Sequence, residues 1–271
     1  SLFKNPTFVN ATAIGLTLGL GMFAAIGFIP TFLQMSSGTS AAVSGLLMLP
    51  MMVGLLGTSI GSGIAISKTG KYKLYPIIGT LLTAAAMVAM TTLTENTAIW
   101  LICVFLFFFG AGLGLIMQVV VLIVQNAVPP EQVGTATSTN NYFREVGASL
   151  GVAVFGTIFT TRLTENLTSV FAAAGGSASE VSNATATLSP EILKQLPDAI
   201  REGVVAGYAD ALAPVFWYLL PFIGLAFVLA LLIKQLPLSE ISGLVARGEA
   251  IGGDEAERLE SEERASRLGG K

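Results

Sequence analysis

Residues 98–124 read AIWLICVFLFFFGAGLGLIMQVVVLIV: Gln118 is the one amide in this run, and no charged residue interrupts it. A bilayer's hydrocarbon core takes roughly 20 apolar residues per helical crossing, and backbone polar groups there can be satisfied only within the helix. The stretch therefore reads as a transmembrane α-helix. Five more runs of similar character surround it, at about 7–34, 40–66, 74–93, 133–161 and 211–233. The expectation is an all-α membrane protein: a six-transmembrane-helix bundle over residues 1–238, then a charged tail over 239–271.

Composition agrees. Of 271 residues, 53% are hydrophobic and 11% charged, against about a quarter charged in soluble domains, and the mean hydropathy is +0.74. Cys103 is the one cysteine, which leaves no disulfide and no thiolate metal site within the chain; it reads as a small buried hydrophobe. Histidine is absent, which removes Ser-His-Asp or Cys-His catalysis, zincin motifs and histidine proton relays. Proton handling falls to carboxylates. No catalytic residue, metal or cofactor is called for, and an enzyme is the least favoured class. The opening Ser1-Leu2-Phe3-Lys4 lacks an initiator Met and any signal-peptide pattern, so a fragment is expected.

Basic residues of short loops mark the cytoplasmic side. Lys4, Lys68, Lys71, Lys73 and Lys234 all fall on one side of the six spans. Glu95 and a long segment at about 162–210 fall on the other, where Glu165, Glu180, Glu191, Asp198, Glu202 and Asp210 outnumber Arg162, Lys194 and Arg201. The segment reads as an external loop, helix-like from Ser189 onward, in a plasma- or inner-membrane protein with both chain ends cytoplasmic. The tail's eight acids and five bases amount to the whole formal net charge of −3 and read as a solvated end. Nothing in this balance favours nucleic acid.

Glycines four apart let membrane helices approach closely: Gly15 and Gly19, Gly57 and Gly61, Gly110 and Gly114, Gly147 and Gly151. They read first as packing seams, and secondly as places where helices slide during a conformational cycle. Pro50, Pro214 and Pro221 add kinks, and Pro30 lies near the far end of the first span. Gly147-Ala148-Ser149-Leu150-Gly151 has nucleophile-elbow spacing, but it lies in a membrane helix of a chain without histidine. Gly110-Ala111-Gly112-Leu113-Gly114 has a phosphate-loop look without the strand that should precede it.

The fifth span alone carries charge near its middle. Ser138, Asn140, Asn141, Tyr142, Arg144, Glu145 and Ser149 lie there, with Asn140 and Arg144 on one face and Asn141, Glu145 and Ser149 on another. At about 1.5 Å per residue from Gly134, Arg144 lies roughly 15 Å deep. An unpaired charge at that depth costs about 2.5 to 3.5 kcal/mol or more. Two readings follow: a polar central cavity lined by this helix, or structural ion pairing with neighbouring helices. Glu145 is a candidate proton-exchanging group; burial favours its neutral form while Arg144 beside it favours the charged one. Gln118, Gln125 and Gln34 are weaker lining candidates, and Phe23, Phe28, Phe32, Phe143 and Trp217 offer aromatic surface.

Four stretches carry a family resemblance: Leu2-Phe3-Lys4-Asn5; the loop Gly63, Ser67, Lys68, Gly70, Lys71, Lys73; Gln125-Asn126-Ala127-Val128-Pro129; and Asn141-Tyr142-Phe143-Arg144-Glu145-Val146-Gly147-Ala148-Ser149-Leu150-Gly151-Val152-Ala153. Together, over roughly Leu2 to Lys234, they resemble the second half of the fourteen-helix drug:proton antiporter branch of the major facilitator superfamily. The loop is similar to that superfamily's cytoplasmic signature, with Ser67 where the full signature has Asp. The resemblance implies a C-terminal six-helix bundle whose N-terminal half lies elsewhere. It further implies export of small amphipathic substrates in exchange for protons by alternating access around a midplane site, with Gly63, Lys68, Gly70, Lys71 and Lys73 at an inner gate. The alternatives are a carrier for a metabolite, lipid or siderophore, and a membrane assembly or sensor subunit without transport.

Overall fold

The computed structural model describes residues 2–37, 40–94, 97–173, 198–233 and 235. Glu95, Lys234, the middle of the long loop (174–197), the tail at 239–271 and the side chain of Phe23 lie outside the described residues. Every regular element among those described is helical: α1 Pro6–Ser37, α2 Ala41–Leu46, α3 Leu49–Thr69, α4 Leu74–Met90, α5 Ile99–Asn126, α6 Val133–Ala173 and α7 Asp198–Leu232, with single 3-10 turns at Leu2–Lys4 and Pro130–Gln132.

The expected second span is broken. Ser40 caps α2, its Oγ accepting from the Val43 N–H at 3.3 Å, and α3 restarts with Pro50 in its first turn, where a proline's missing N–H costs nothing. Pro30, Pro214 and Pro221 are instead carried inside continuous helices. By length and composition five helical stretches can cross a bilayer, with α2 and α3 counted together; α4 is a shorter apolar helix. Its 17 residues rise about 26 Å at about 1.5 Å each. The Thr91 and Thr92 hydroxyls donate to Val88 O and Ala89 O, both at 2.7 Å, and close it.

The long segment needs correction. Residues 162–173 continue α6, and 198–210 form the beginning of α7. Leu163 and Leu167 are buried, as are Val204 and Tyr208. Asn166 Nδ2 donates to Gly207 O at 3.0 Å, and Arg162 Nη2 donates to Tyr218 Oη at 2.9 Å. α6, with 41 residues, rises about 61 Å, twice the thickness of a hydrocarbon core of about 30 Å. The α6–α7 pair therefore continues as a packed helical hairpin past the apolar slab.

α1 is the most enclosed span. It packs mainly on α6 and α7, while α5 joins α3 to α4 on the other flank. The core runs through Ile14, Leu18, Ile29, Phe32 and Leu33 of α1, Leu212, Phe216, Leu219 and Ile223 of α7, and Phe155 and Phe159 of α6. The outward stripe Val53, Leu56, Ile60, Ile64 on α3 is more than half exposed at each position; in water it would be an aggregation surface.

Asn5 fixes where α1 begins. Its Oδ1 accepts from the N–H groups of Thr7 (2.9 Å) and Phe8 (3.4 Å), and its Nδ2 donates to Ala127 O in the α5–α6 turn. Asn5→Ala removes both cap and tether and is expected to destabilise the protein by about 1–2 kcal/mol. Asn5→Asp, which keeps an acceptor but no donor, should fall between. The thermal midpoint of the detergent-purified protein checks the order.

Candidate functional site

The site is positioned by one helix seam. A Cβ built on Gly19 would run into the Arg144 carbonyl oxygen, one on Gly147 into Leu16 O, and one on Gly151 into Leu20 O. Glycines on both sides bring the two backbones into contact, a close approach that Cα–H donors and carbonyl oxygens tolerate. Asn140 is thereby enclosed at 2% exposure, its Oδ1 lying 3.0 Å from where a Gly15 Cβ would stand. One turn on, the Arg144 side chain leaves the seam at 20% exposure and Nη2 donates to Glu145 Oε1 at 3.3 Å, with Glu145 58% exposed.

Of the candidate residues, Asn140, Arg144 and Glu145 are brought together here. Ser149 is exposed, and its hydroxyl donates to the Glu145 backbone carbonyl at 3.0 Å, so it does not touch the carboxylate. Asn141 is half-buried and Ser138 and Tyr142 are exposed. Gln118 is exposed on α5, and Gln125 reaches Thr137 Oγ1 at 3.5 Å. Gln34 is half-buried about 22 Å along α1 from Gly19, taking about 1.5 Å per residue. Among the aromatics, Phe28 stacks on Phe159 (centroids 5.0 Å apart), Phe32 is core, Phe143 meets Phe3 and Tyr142, and Trp217 faces outward.

Buried side-chain atoms without a partner, among the described residues, are Asn10 Oδ1, Thr12 Oγ1, Asn140 Oδ1 and Arg144 Nε. All lie on α1 and α6. Asn140 Oδ1 and Arg144 Nε leave α6 at this seam an unmet hydrogen-bonding capacity that buried groups rarely keep. Asn10 also donates to Leu229 O at 3.0 Å. Asn10 and Thr12 were not singled out in the sequence, although polar residues within an apolar span are themselves the signal.

The signature loop is separately built. Gly70 ends α3 at φ 67°, a left-handed position that favours glycine, and its N–H donates to Ile66 O at 2.8 Å. Lys68 and Lys71 are exposed and Lys73 is half-buried. Gly63 is half-buried with nothing near its Cβ position. The Gly57–Gly61 seam is not one: both face open space, and it is Gly54 that meets Phe107 O. On α5, Gly110 and Gly114 abut Met51 O and Leu55 O of α3, while Gly112 abuts Gly79 and Thr83 of α4. The glycine-rich stretch is thus a two-sided packing surface.

A bundle of long apolar helices with a charged pair on one of them defines a multi-pass membrane protein. The family model of the Major Facilitator Superfamily matches residues 1–152, over half of the chain, and the chain belongs to that superfamily. It is 39% identical over 240 residues to the MFS-type transporter Rv1877 of Mycobacterium tuberculosis (strain ATCC 25618 / H37Rv), covering 89% of this chain and 34% of the relative. It is 33% identical to the multidrug transporter protein MdtP of Bacillus subtilis (strain 168), covering 88% and 48%. To the tetracycline resistance determinant of Streptomyces rimosus it is 32% identical, covering 60% and 47%. The chain thus spans between a third and a half of these relatives' length. Among solved structures, a bacterial homologue of the human lysosomal transporter Spinster, inward-facing and unoccupied, superposes with a TM-score of 0.65 at 16% identity, covering 86% of this chain and 48% of that one. That likeness concerns the fold. Superfamily membership places the chain among transporters rather than enzymes.

Proposed function

We propose that the chain is the C-terminal half of a secondary active transporter that exports amphipathic drugs or toxic compounds in exchange for protons by alternating access. The observation that carries this reading is the α1–α6 seam: an Arg144–Glu145 pair and a buried Asn140 on a helix of an otherwise apolar bundle. The printed names of the relatives, multidrug and tetracycline resistance among them, support the substrate class. Their greater length supports an N-terminal half as the immediate partner, completing a path that this bundle supplies on one side. The lysines of residues 4–73 support a cytoplasmic placement for the end where α1 begins, in a plasma or inner membrane. Gln118, Gln34, Asn141 and Ser149 serve as outer lining, and Gly63, Lys68, Gly70, Lys71 and Lys73 as the inner gate.

The test is flux. The natural full-length protein in vesicles should acidify or alkalinise the lumen when a lipophilic cationic dye is added, with dye movement driven by an imposed pH gradient. Dye flux indifferent to that gradient would remove proton exchange from the reading. Glu145→Gln addresses the residue. If Glu145 carries the exchanged proton, the variant binds dye normally but loses gradient-driven flux by about 100-fold, roughly 2.7 kcal/mol. Full coupled flux in the variant would assign the proton to another acid.

A further inference from the structure

We propose that Gln235 is a positioning residue that clamps the α3–α4 loop to the end of α7 and thereby sets the rate of the transport cycle, an inference that rests on the transporter reading above. Its side-chain Nε2 donates to Gly70 O at 2.8 Å, and its Oε1 accepts from the Lys73 N–H at 3.2 Å. One amide thus uses both its donor and its acceptor on a segment more than 160 residues away in sequence.

The two groups it meets are helix ends without local partners of that kind. Gly70 turns out of α3 in the left-handed region, which directs its carbonyl away from the helix ladder. Lys73 stands at the start of α4, where no side chain of that helix supplies a cap. Gln235 therefore closes the end of one helix and the beginning of the next at once. The loop's own hydroxyls are otherwise engaged: Ser67 Oγ donates to Ile64 O at 2.9 Å and Thr69 Oγ1 to Ala65 O at 2.7 Å, both within α3. α3 rests chiefly on α5 and exposes its opposite face, so the Gln235 clamp is a tie between its far end and the α1–α6–α7 side of the bundle. For α3 to move without α7 the Gly70 hydrogen bond must break; the Lys73 bond belongs to the start of α4, which packs on α7 itself.

Glutamine is the residue this geometry asks for. A carboxylate accepts but cannot donate, so Gln235→Glu would set an oxygen against Gly70 O while gaining attraction to Lys68, Lys71 and Lys73. Hydrogen bonding and charge thereby predict opposite results for that variant. The experiment compares full-length wild type, Gln235→Ala and Gln235→Glu on two readouts. Exchange of the Lys73 amide should speed by about tenfold in Gln235→Ala, the worth of one lost hydrogen bond, and by less in Gln235→Glu, whose carboxylate still accepts from it while losing the donor to Gly70 O. Flux of the dye per folded transporter should change in maximal rate by a similar factor, with half-saturating concentration unchanged, because the clamp is remote from the α1–α6 seam. Unchanged exchange in Gln235→Ala, or wild-type behaviour of Gln235→Glu, would overturn the clamp. Faster exchange with unchanged maximal rate would overturn its part in the cycle. If wild type moves no dye, the transporter reading fails, while the exchange comparison still decides the clamp.

Discussion

Gly147→Ala is expected to be among the most damaging single-methyl changes in the protein. The new Cβ would enter the space held by Leu16 O, and the obstacle is backbone on a packed helix, which cannot rotate aside as a side chain would. α1 and α6 must separate locally. Overpacking of this kind costs about 1–3 kcal/mol, and in lipid no hydrophobic force returns the helices to each other, since their association depends on close packing. Asn140 and Arg144 sit on the same seam, so the geometry of the charged pair is lost with it. Gly224→Ala is the control: Gly224 lies on an exposed face of α7 with nothing within 4 Å of its Cβ position, and alanine there gains up to about 1 kcal/mol of helix propensity. The expected result is a lowered thermal midpoint and poor monodispersity for Gly147→Ala, with Gly224→Ala equal to or better than wild type. Equal stability of the two variants would refute the seam.

That contrast also shows what could be read from the sequence. Apolar run length, which the bilayer sets before any partner does, pointed to stretches at about 7–34, 98–124 and 133–161; the helices there run Pro6–Ser37, Ile99–Asn126 and Val133–Ala173. Glycine spacing gave three of four close-packed pairs, yet it named Gly57 and Gly61 where α3 uses Gly54. α3 has glycines on two faces, and which face meets α5 is decided by its neighbours rather than by its own period. The hairpin extension was obscured by composition, since Arg162, Glu165, Asp198, Arg201, Glu202 and Asp210 lower its hydropathy. The i,i+4 pairs Leu163–Leu167 and Val204–Tyr208, buried in the structure, were nonetheless an amphipathic signal. For the candidate site, charge in an apolar span singled out Arg144 and Glu145, which the structure pairs at 3.3 Å. The ties from Asn5 to Ala127 and from Gln235 to Gly70 were illegible: each joins an ordinary amide to a backbone carbonyl far along the chain, and no local pattern encodes such a pairing.

Arg144→Lys is expected to abolish transport while leaving a folded protein. The backbone of residue 144 packs on Gly19 and is indifferent to the side chain, and a lysine preserves the charge that Glu145 faces. What lysine lacks is the second arm. Arg144 presents Nη2 to Glu145 while its Nε is buried and unpartnered beside the Asn140 face of α6; a single ammonium cannot occupy both directions. If the seam's unmet hydrogen bonds serve the transport cycle, losing Nε should reduce flux by about 100-fold or more, roughly 2.7 kcal/mol, with a thermal midpoint near that of wild type. Arg144→Ala should be worse on both counts, because it leaves the Glu145 carboxylate without its partner on a membrane helix. The purely structural reading of the ion pair predicts another order: Arg144→Lys transports normally per folded molecule, and Arg144→Ala loses folded yield and flux in equal proportion. Measuring flux and thermal midpoint on the same preparations separates the two, since the first reading dissociates activity from stability and the second ties them together.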